Sequence, residues 1–245
     1  EESMGQLTDA LTIKKEEAVA AGGMVASHDG PNDLAPRCNT AAERPADVYS
    51  VESVVGQEEW DSLTPGQILD MAKDAQGEVA AALPSFIRAQ LPVLMAEGDK
   101  KERRKQAKLL MYAAFLILFH ALPSRFDKKK QALQEELGLP YQVAARLLSA
   151  YAEPSDRGFS KPQTCRDKLI LSLCVVCLLF GHSEVVDFQL LAQDLKLHPD
   201  KLCAYFREVG CVVTKPKSKL QTSFTAKLTA PPTFPKRSKG PMKAR

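Results

Sequence analysis

The chain has 245 residues, of which 44% are hydrophobic and 26% charged, and this composition excludes wholesale disorder. Its length allows one large domain or two small ones with linkers. A net charge of +3 conceals an asymmetry: residues 1–80 carry 16 acids and 5 Lys/Arg (−11), whereas residues 81–245 carry 14 acids and 28 Lys/Arg (+14). The two parts therefore present opposite fields to their partners.

Residues 1–63 divide into two segments by composition. Residues 1–34 contain Gly22-Gly23 and Gly30-Pro31, which predict a flexible lead-in. Residues 35–63 form an acidic linker whose scattered apolar side chains have too little bulk for a core. Such a segment gains order by lying across a partner, and a plain solvated linker fits the composition equally well. The apolar residues expected to dock are Val48, Tyr49, Val51, Val54, Val55 and Trp60.

Helical patterns begin at residue 64. Thr64-Pro65 is typical of a helix start, and a second helix is predicted at residues 80–90. A basic stretch from Lys100 to Lys108 then leads into an apolar run at residues 109–122. This run is shorter than the ~18–20 residues that a membrane span requires, so it predicts a buried helix and no membrane partner.

Two helix-turn-helix patterns follow. In the first, a helix over residues 128–137 ends at Gly138, and Pro140 starts the next helix. In the second, an apolar helix over residues 164–180 precedes a helix at 188–196, and Pro199 starts a helix to Val209. A short strand is predicted at residues 211–214, but residues 153–158 predict only a turn. The fold class is mainly α, with one unit at 64–156 and another at 157–215.

The C-terminal part is strongly basic. The stretch from Thr214 to Arg245 holds nine Lys/Arg, five prolines and no acid, so residues 216–245 are predicted to be a disordered basic tail. Nuclear import, nucleic-acid contact and simple solubility are all consistent with such a tail.

No pattern indicates catalysis, a cofactor or a metal. The spacings of phosphate-binding, dinucleotide-binding, metalloprotease and serine-hydrolase motifs are absent, and the four histidines are far apart in the sequence. Cys174 and Cys177 have C-x-x-C spacing, but a zinc site needs a second pair of ligands and none is suitably spaced. These two cysteines are therefore predicted to lie in the core.

The charge pattern favours nucleic acid as the partner. The second helix of a helix-turn-helix is the one that enters a groove, and its exposed faces here are only moderately basic. We therefore expect contacts mainly with phosphates, weak sequence preference and strong salt dependence. The cluster Lys128-Lys129-Lys130 opposes the dipole of its own helix, which favours an anionic partner, and a merely solvated face fits the cluster equally well. The expected DNA-binding residues are Lys128, Lys129, Lys130, Gln142, Arg146, Lys196, Lys201, Arg207, Lys215 and Lys217.

Residues 35–215 resemble a known family. The segment Pro45-Ala-Asp-Val-Tyr-Ser-Val-Glu-Ser-Val-Val55 followed by Glu59-Trp60, and the segment Leu190-Leu-Ala-Gln-Asp-Leu-Lys-Leu197, carry the likeness. The order of acidic linker, two helix-turn-helix units and basic tail is similar to the RNA polymerase I-specific subunit family. That family includes the forty-nine-kilodalton subunit of yeast and a polymerase-associated factor of animals.

The resemblance implies a non-catalytic polymerase subunit of the nucleus and nucleolus. It implies a tandem winged-helix domain that binds DNA, a linker that lies on the RNA polymerase I core subunits, and roles in initiation and elongation of ribosomal RNA synthesis. A smaller dimerisation partner would bind only through an N-terminal region that is not present in these residues. The alternative is a winged-helix module that binds other polypeptides in another transcription complex.

Overall fold

The computed structural model describes residues 32–74, 77–126, 130–156, 158–215 and 223–235, and these are mainly helical. The N-terminal part has single 3-10 turns at Pro45–Asp47 and Val51–Ser53. Four helices follow, and their bounds are α1 Gln57–Ser62, α2 Gly66–Lys73, α3 Glu78–Ala81 and α4 Ser85–Ala96. The helix expected at residues 80–90 is thus two helices, because Leu83-Pro84 separates α3 from α4.

The rest of the described chain consists of two repeats of one pattern: helix, strand, helix, helix, strand, strand. The first repeat comprises α5 Lys100–Ala121, β1 Arg125–Phe126, α6 Lys130–Leu137, α7 Tyr141–Tyr151, β2 Glu153–Ser155 and β3 Gly158–Ser160. The second comprises α8 Gln163–Phe180, β4 Glu184–Val186, α9 Gln189–Asp194, α10 Pro199–Glu208, β5 Cys211–Thr214 and β6 Thr225–Leu228. The predicted succession of helices is confirmed.

Each repeat contains a small antiparallel sheet in which the last strand lies in the middle. The strand orders are β1-β3-β2 and β4-β6-β5. Phe126 and Pro154 pair with Phe159 from opposite sides of β3. The expectation of a mere turn at residues 153–158 was therefore wrong, because strands of two or three residues are too short to show an alternating pattern.

The prediction of a disordered tail was also wrong for part of that segment. Residues 225–228 form β6, which pairs with Val185 of β4 and Val213 of β5 through Ala226. Ala226 and Leu228 are buried, whereas Lys227 between them is exposed. The second unit therefore extends beyond the predicted boundary at residue 215, because its sheet needs a strand from the basic segment.

The core joins both repeats around α5 and α8. These two helices are apolar on nearly all sides and pack against each other, as expected for helices with no solvent face over most of their length. Tyr112 and Phe119 of α5 are fully buried, and Cys174 and Cys177 of α8 are also in the core, which confirms their predicted location.

The N-terminal segment packs on this core, contrary to the expectation that it would gain order on a partner. Val48, Tyr49, Val54 and Val55 are no more than 3% exposed. Together with neighbouring apolar residues they add enough area to cover the core of their own chain. Their side chains are therefore not a docking surface.

Hydrogen bonds fix the same segment to both repeats. The Tyr49 hydroxyl donates to the carbonyl oxygen of Val209 at 3.1 Å, at the end of α10. Lys108 Nζ of α5 donates to the Trp60 carbonyl oxygen at 2.7 Å and lies 5.0 Å from the Trp60 ring centroid. Val51 and Trp60 are half-buried. Residues 48–60, which we call the N-terminal strap, are thus part of the fold and contact both repeats.

Candidate nucleic-acid interface

The turn between α9 and α10 places two of the predicted DNA-binding lysines. Lys196 lies just after α9 with φ +53°, and Leu197 N donates to Ala192 O at 2.9 Å, which closes the helix end. Pro199 begins α10, and its fixed φ suits the first helical position. Lys201 follows in the first turn. Both lysines are exposed.

These two lysines line one cavity of about 250 Å³ at the junction of the repeats. The C-terminal end of α5, the first turns of α8 and α10, and the turn after α9 surround it. Its polar lining residues are His120, Gln163, Arg166, Asp194, Lys196 and Lys201. Lys196 and Lys201 were both predicted to bind DNA, and the structure brings them to one cavity; their contact with DNA stays a prediction. His120, Gln163 and Arg166 were not among the predicted DNA-binding residues.

Arg166 is held rigidly beside this cavity. Its Nε donates to the Lys161 carbonyl oxygen at 3.0 Å, and its Nη2 donates to Ser124 Oγ at 2.7 Å. Lys161 in turn is only 3% exposed, and its Nζ donates to the carbonyl oxygens of Phe119, His120 and Leu122. These bonds fix the end of α5 and the guanidinium of Arg166 relative to each other.

The acid in the cavity wall has its own partners. Asp194 accepts hydrogen bonds from Ser85 N at 3.0 Å and Phe86 N at 2.8 Å, so both carboxylate oxygens satisfy the N-terminus of α4. Asp194 keeps its charge in these bonds, but three cations against one carboxylate make the cavity electropositive. Burial, and then the charges of Lys161, Arg166 and Lys196, lower the pKa of His120 to about 4.

Arg207 and Lys215 lie in a different group, around Asp200. Lys215 Nζ forms an ion pair and hydrogen bond with Asp200 Oδ1, and this contact, more than the charge of Arg207, lowers the pKa of Asp200. Part of the charge of Lys215 is thus already compensated. The residues predicted on the second repeat therefore divide between the cavity and this ion-paired cluster.

On the first repeat, Gln142 and Arg146 are exposed and share one face of α7 at i, i+4 spacing. Helix α1 packs against α7 and carries Glu58, Glu59 and Asp61. The first repeat thus has acids beside the helix that corresponds to α10.

Four predicted cations have no described side chain. Lys128, Lys129 and Lys217 lie outside the described residues, and Lys130 begins α6 but its side chain is not described.

Little in the sequence points to the other cavity residues, His120, Gln163 and Arg166. His120 lies in an apolar run, and Gln163 and Arg166 are polar residues at the start of an apolar helix, so only their spatial neighbours identify them.

No group of three or more His, Cys, Asp or Glu side chains among the described residues is arranged to hold a metal ion. Cys174 and Cys177 are buried, and burial raises the pKa of both thiols. No described helix is both long enough and apolar enough to cross a membrane.

Comparison with known proteins gives one family. Residues 1–235 match the family described as A49-like RNA polymerase I associated factor. The chain is also 25% identical over 201 residues to DNA-directed RNA polymerase I subunit RPA49 of Saccharomyces cerevisiae, an alignment that covers 77% of this chain and 46% of the yeast protein. The chain thus spans about half the length of that relative. It belongs to the A49-like RNA polymerase I associated factor family.

Proposed function

We propose that the protein is a non-catalytic subunit of RNA polymerase I that binds DNA and supports initiation and elongation of ribosomal RNA transcription in the nucleus and nucleolus. The family membership and the yeast relative, whose name describes a polymerase I subunit, support this assignment. DNA and the polymerase core are the partners.

The observation that carries the DNA-binding proposal is the repeated order of helix, strand, helix, helix, strand and strand, with the last strand central in each sheet. In a winged helix this order presents the third helix to DNA, and the hairpin of the last two strands is the wing. We therefore assign two winged helices, with α7 and α10 as the groove-facing helices.

The second winged helix is the principal DNA contact in this proposal. Lys196, Lys201 and Arg207 are exposed there, whereas α7 of the first repeat is packed against the acidic α1. Carboxylates beside α7 repel phosphates, and this repulsion weakens the contribution of Gln142 and Arg146. Few residues of the second repeat suit base readout, so phosphate contacts dominate.

The exposed acids of the N-terminal part form the polymerase-facing surface in this proposal. Val48, Tyr49, Val54 and Val55 are buried, so any docking uses exposed residues in the range 33–61 instead. Those exposed acids are Asp33, Glu43, Asp47, Glu52, Glu58 and Asp61. Their charge also keeps this surface away from DNA.

A salt titration of the full chain tests DNA binding. Affinity for a duplex of unrelated sequence is measured by fluorescence anisotropy at several salt concentrations. We expect log K to fall linearly with log salt, and each lost phosphate contact to reduce the slope by about 0.9. Arg207→Gln and Lys201→Gln should each show this reduction. Lys73→Gln is the control, because Lys73 lies in the acidic half and pairs with Asp70 at 2.7 Å.

Two results would contradict the proposal. One is the absence of binding at low salt, and the other is a salt slope that Arg207→Gln changes no more than Lys73→Gln does. If DNA binding is absent while the chain still co-purifies with polymerase, the winged helices serve as protein-interaction modules instead.

A further inference from the structure

The cavity at the junction of the repeats has an unusual balance of charge. Arg166, Lys196 and Lys201 line it, and Lys196 and Lys201 have no ion pair among the described residues. Asp194, the acid in its lining, is occupied by two backbone amides of α4. Three cations held around one opening repel one another, and an anion in the cavity would remove that repulsion.

The position of Lys196 adds an independent observation. In the first repeat the corresponding residue is Gly138, with φ +62°, and Leu139 N donates to Gln134 O at 3.0 Å. Lys196 has φ +53° and the same hydrogen bond follows it. Glycine adopts this left-handed conformation without cost, whereas lysine does not. The second repeat thus has a lysine where the backbone favours glycine, and its charge lies at the cavity.

The helices around the cavity favour an anion as well. Gln163 begins α8, and Arg166 follows three residues later in a first turn that contains no acid. The first turn of α10 contains Asp200 beside Lys201, but that carboxylate is paired with Lys215. The N-terminal end of a helix carries partial positive charge, so a cation there is unfavourable unless an anion is near. Arg166 is already oriented by Ser124 and the Lys161 carbonyl. The site is therefore preorganised for a compact anion with several acceptor oxygens.

We infer that this cavity binds one phosphate group, held by Arg166, Lys196 and Lys201. The Gln163 amide at the edge of the cavity already donates to Asp167 at 2.7 Å. The identity of this phosphate rests on the proposed function: we assign it to the backbone of bound nucleic acid. The site would fix the second winged helix on one backbone position at the junction of the repeats. It lies apart from the Arg207 and Lys215 cluster around Asp200.

The first experiment uses inorganic phosphate as the probe on the full chain. The imidazole signals of His120 are followed by NMR while phosphate replaces chloride at constant ionic strength. Burial, and then the charges of nearby cations, depress the pKa of His120. A bound phosphate opposes the second of these effects, so it should raise that pKa and shift the signals to saturation. A response that is equal for phosphate and chloride would overturn the inference.

Lys196→Gly is the decisive variant, because it removes the charge and relieves the backbone. We expect its melting temperature to equal or exceed that of the wild type, while its affinity for phosphate and for a DNA duplex falls about tenfold. Lys201→Gln should weaken both to a similar degree. Lys73→Gln is the control: Lys73 is exposed, pairs with Asp70 and lies outside the cavity and both repeats, so it should leave both affinities unchanged.

The outcomes separate this inference from the proposed function. If the duplex binds Lys196→Gly and Lys201→Gln as tightly as the wild type while Arg207→Gln still lowers the salt slope, the phosphate site is refuted and the DNA-binding proposal stands. If inorganic phosphate binds through these lysines but no duplex binds, the site stands, its ligand is a small phosphorylated molecule, and the DNA-binding proposal fails.

Discussion

The hydroxyl of Tyr49 donates a hydrogen bond of 3.1 Å to the carbonyl oxygen of Val209, which lies 160 residues further along the chain. Tyr49 is 3% exposed and Val209 is fully buried. Carbonyl oxygens at the C-terminal end of a helix have no backbone amide of that helix as a partner, and the Tyr49 hydroxyl supplies the donor for Val209 at the end of α10. The N-terminal strap therefore completes the end of the proposed groove-facing helix.

Replacing the tyrosine tests that role. Tyr49→Phe leaves the Val209 carbonyl oxygen buried without its partner, so we expect a loss of about 1–2 kcal/mol in the free energy of unfolding. Tyr49→Ala also removes a buried ring and should cost about 3–5 kcal/mol. Urea denaturation of the full chain measures both. No change for Tyr49→Phe would show that water replaces the hydroxyl.

Tyr112 provides the matched comparison. It is fully buried, and its hydroxyl has no hydrogen bond of acceptable geometry in the described part of the chain, although the Tyr151 hydroxyl is near enough to influence its pKa. Tyr112→Phe should therefore leave the free energy of unfolding unchanged or raise it by up to about 1 kcal/mol, because a desolvated hydroxyl is removed. A loss as large as that of Tyr49→Phe would reveal a hidden partner.

Lys161 is a structural cation at the end of α5. Its Nζ donates to the carbonyl oxygens of Phe119, His120 and Leu122 at 2.6, 3.0 and 2.8 Å. Lys161→Met leaves these acceptors unpaired, and we expect a loss of about 2–4 kcal/mol in the free energy of unfolding. Lys73→Met, at an exposed ion pair, should change it by less than about 1 kcal/mol. Thermal and urea unfolding would distinguish the two.

His120 predicts a dependence of stability on pH. Its folded pKa of about 4 lies below the ordinary value of 6.5, so the unfolded chain binds the proton more tightly. The stability is therefore fully present above pH 6.5 and is lost as the pH falls from 6.5 towards 4. The loss is at most about 3 kcal/mol and is reduced by solvent screening. His120→Gln should flatten the curve in this window, and an unchanged slope would contradict the assignment.

Gly138 tests the backbone comparison with Lys196. A Cβ at Gly138 would meet nothing within 4 Å, so any penalty comes from its φ of +62°. Gly138→Ala should cost about 1 kcal/mol, measured by urea denaturation. At Gly66, where φ is not positive and a Cβ also meets nothing, Gly66→Ala should be neutral or stabilising. Equal effects at both glycines would remove the argument for strain at Lys196.

The sequence itself determined the succession of helices in the two repeats. Long apolar runs, Gly138 and Gly210 at helix ends and Pro199 at a helix start are local signals, since each reflects the conformation of the residue concerned. Lys196 and Lys201 were predicted from their charge and position, and the structure shows that both side chains are exposed and line one cavity. Their contact with DNA stays a prediction.

The tertiary structure decided the strand pairing, the position of the N-terminal strap and the set of residues around the cavity. The strands have two to four residues, and β6 comes from a basic segment, so its place depends on pairing with β4 and β5. The strap at Tyr49 is ordered by burial on residues far along the chain. Arg166 and His120 join Lys196 and Lys201 only because α5, α8 and α10 meet at one point. Such contacts depend on distance in space, which a single sequence does not record.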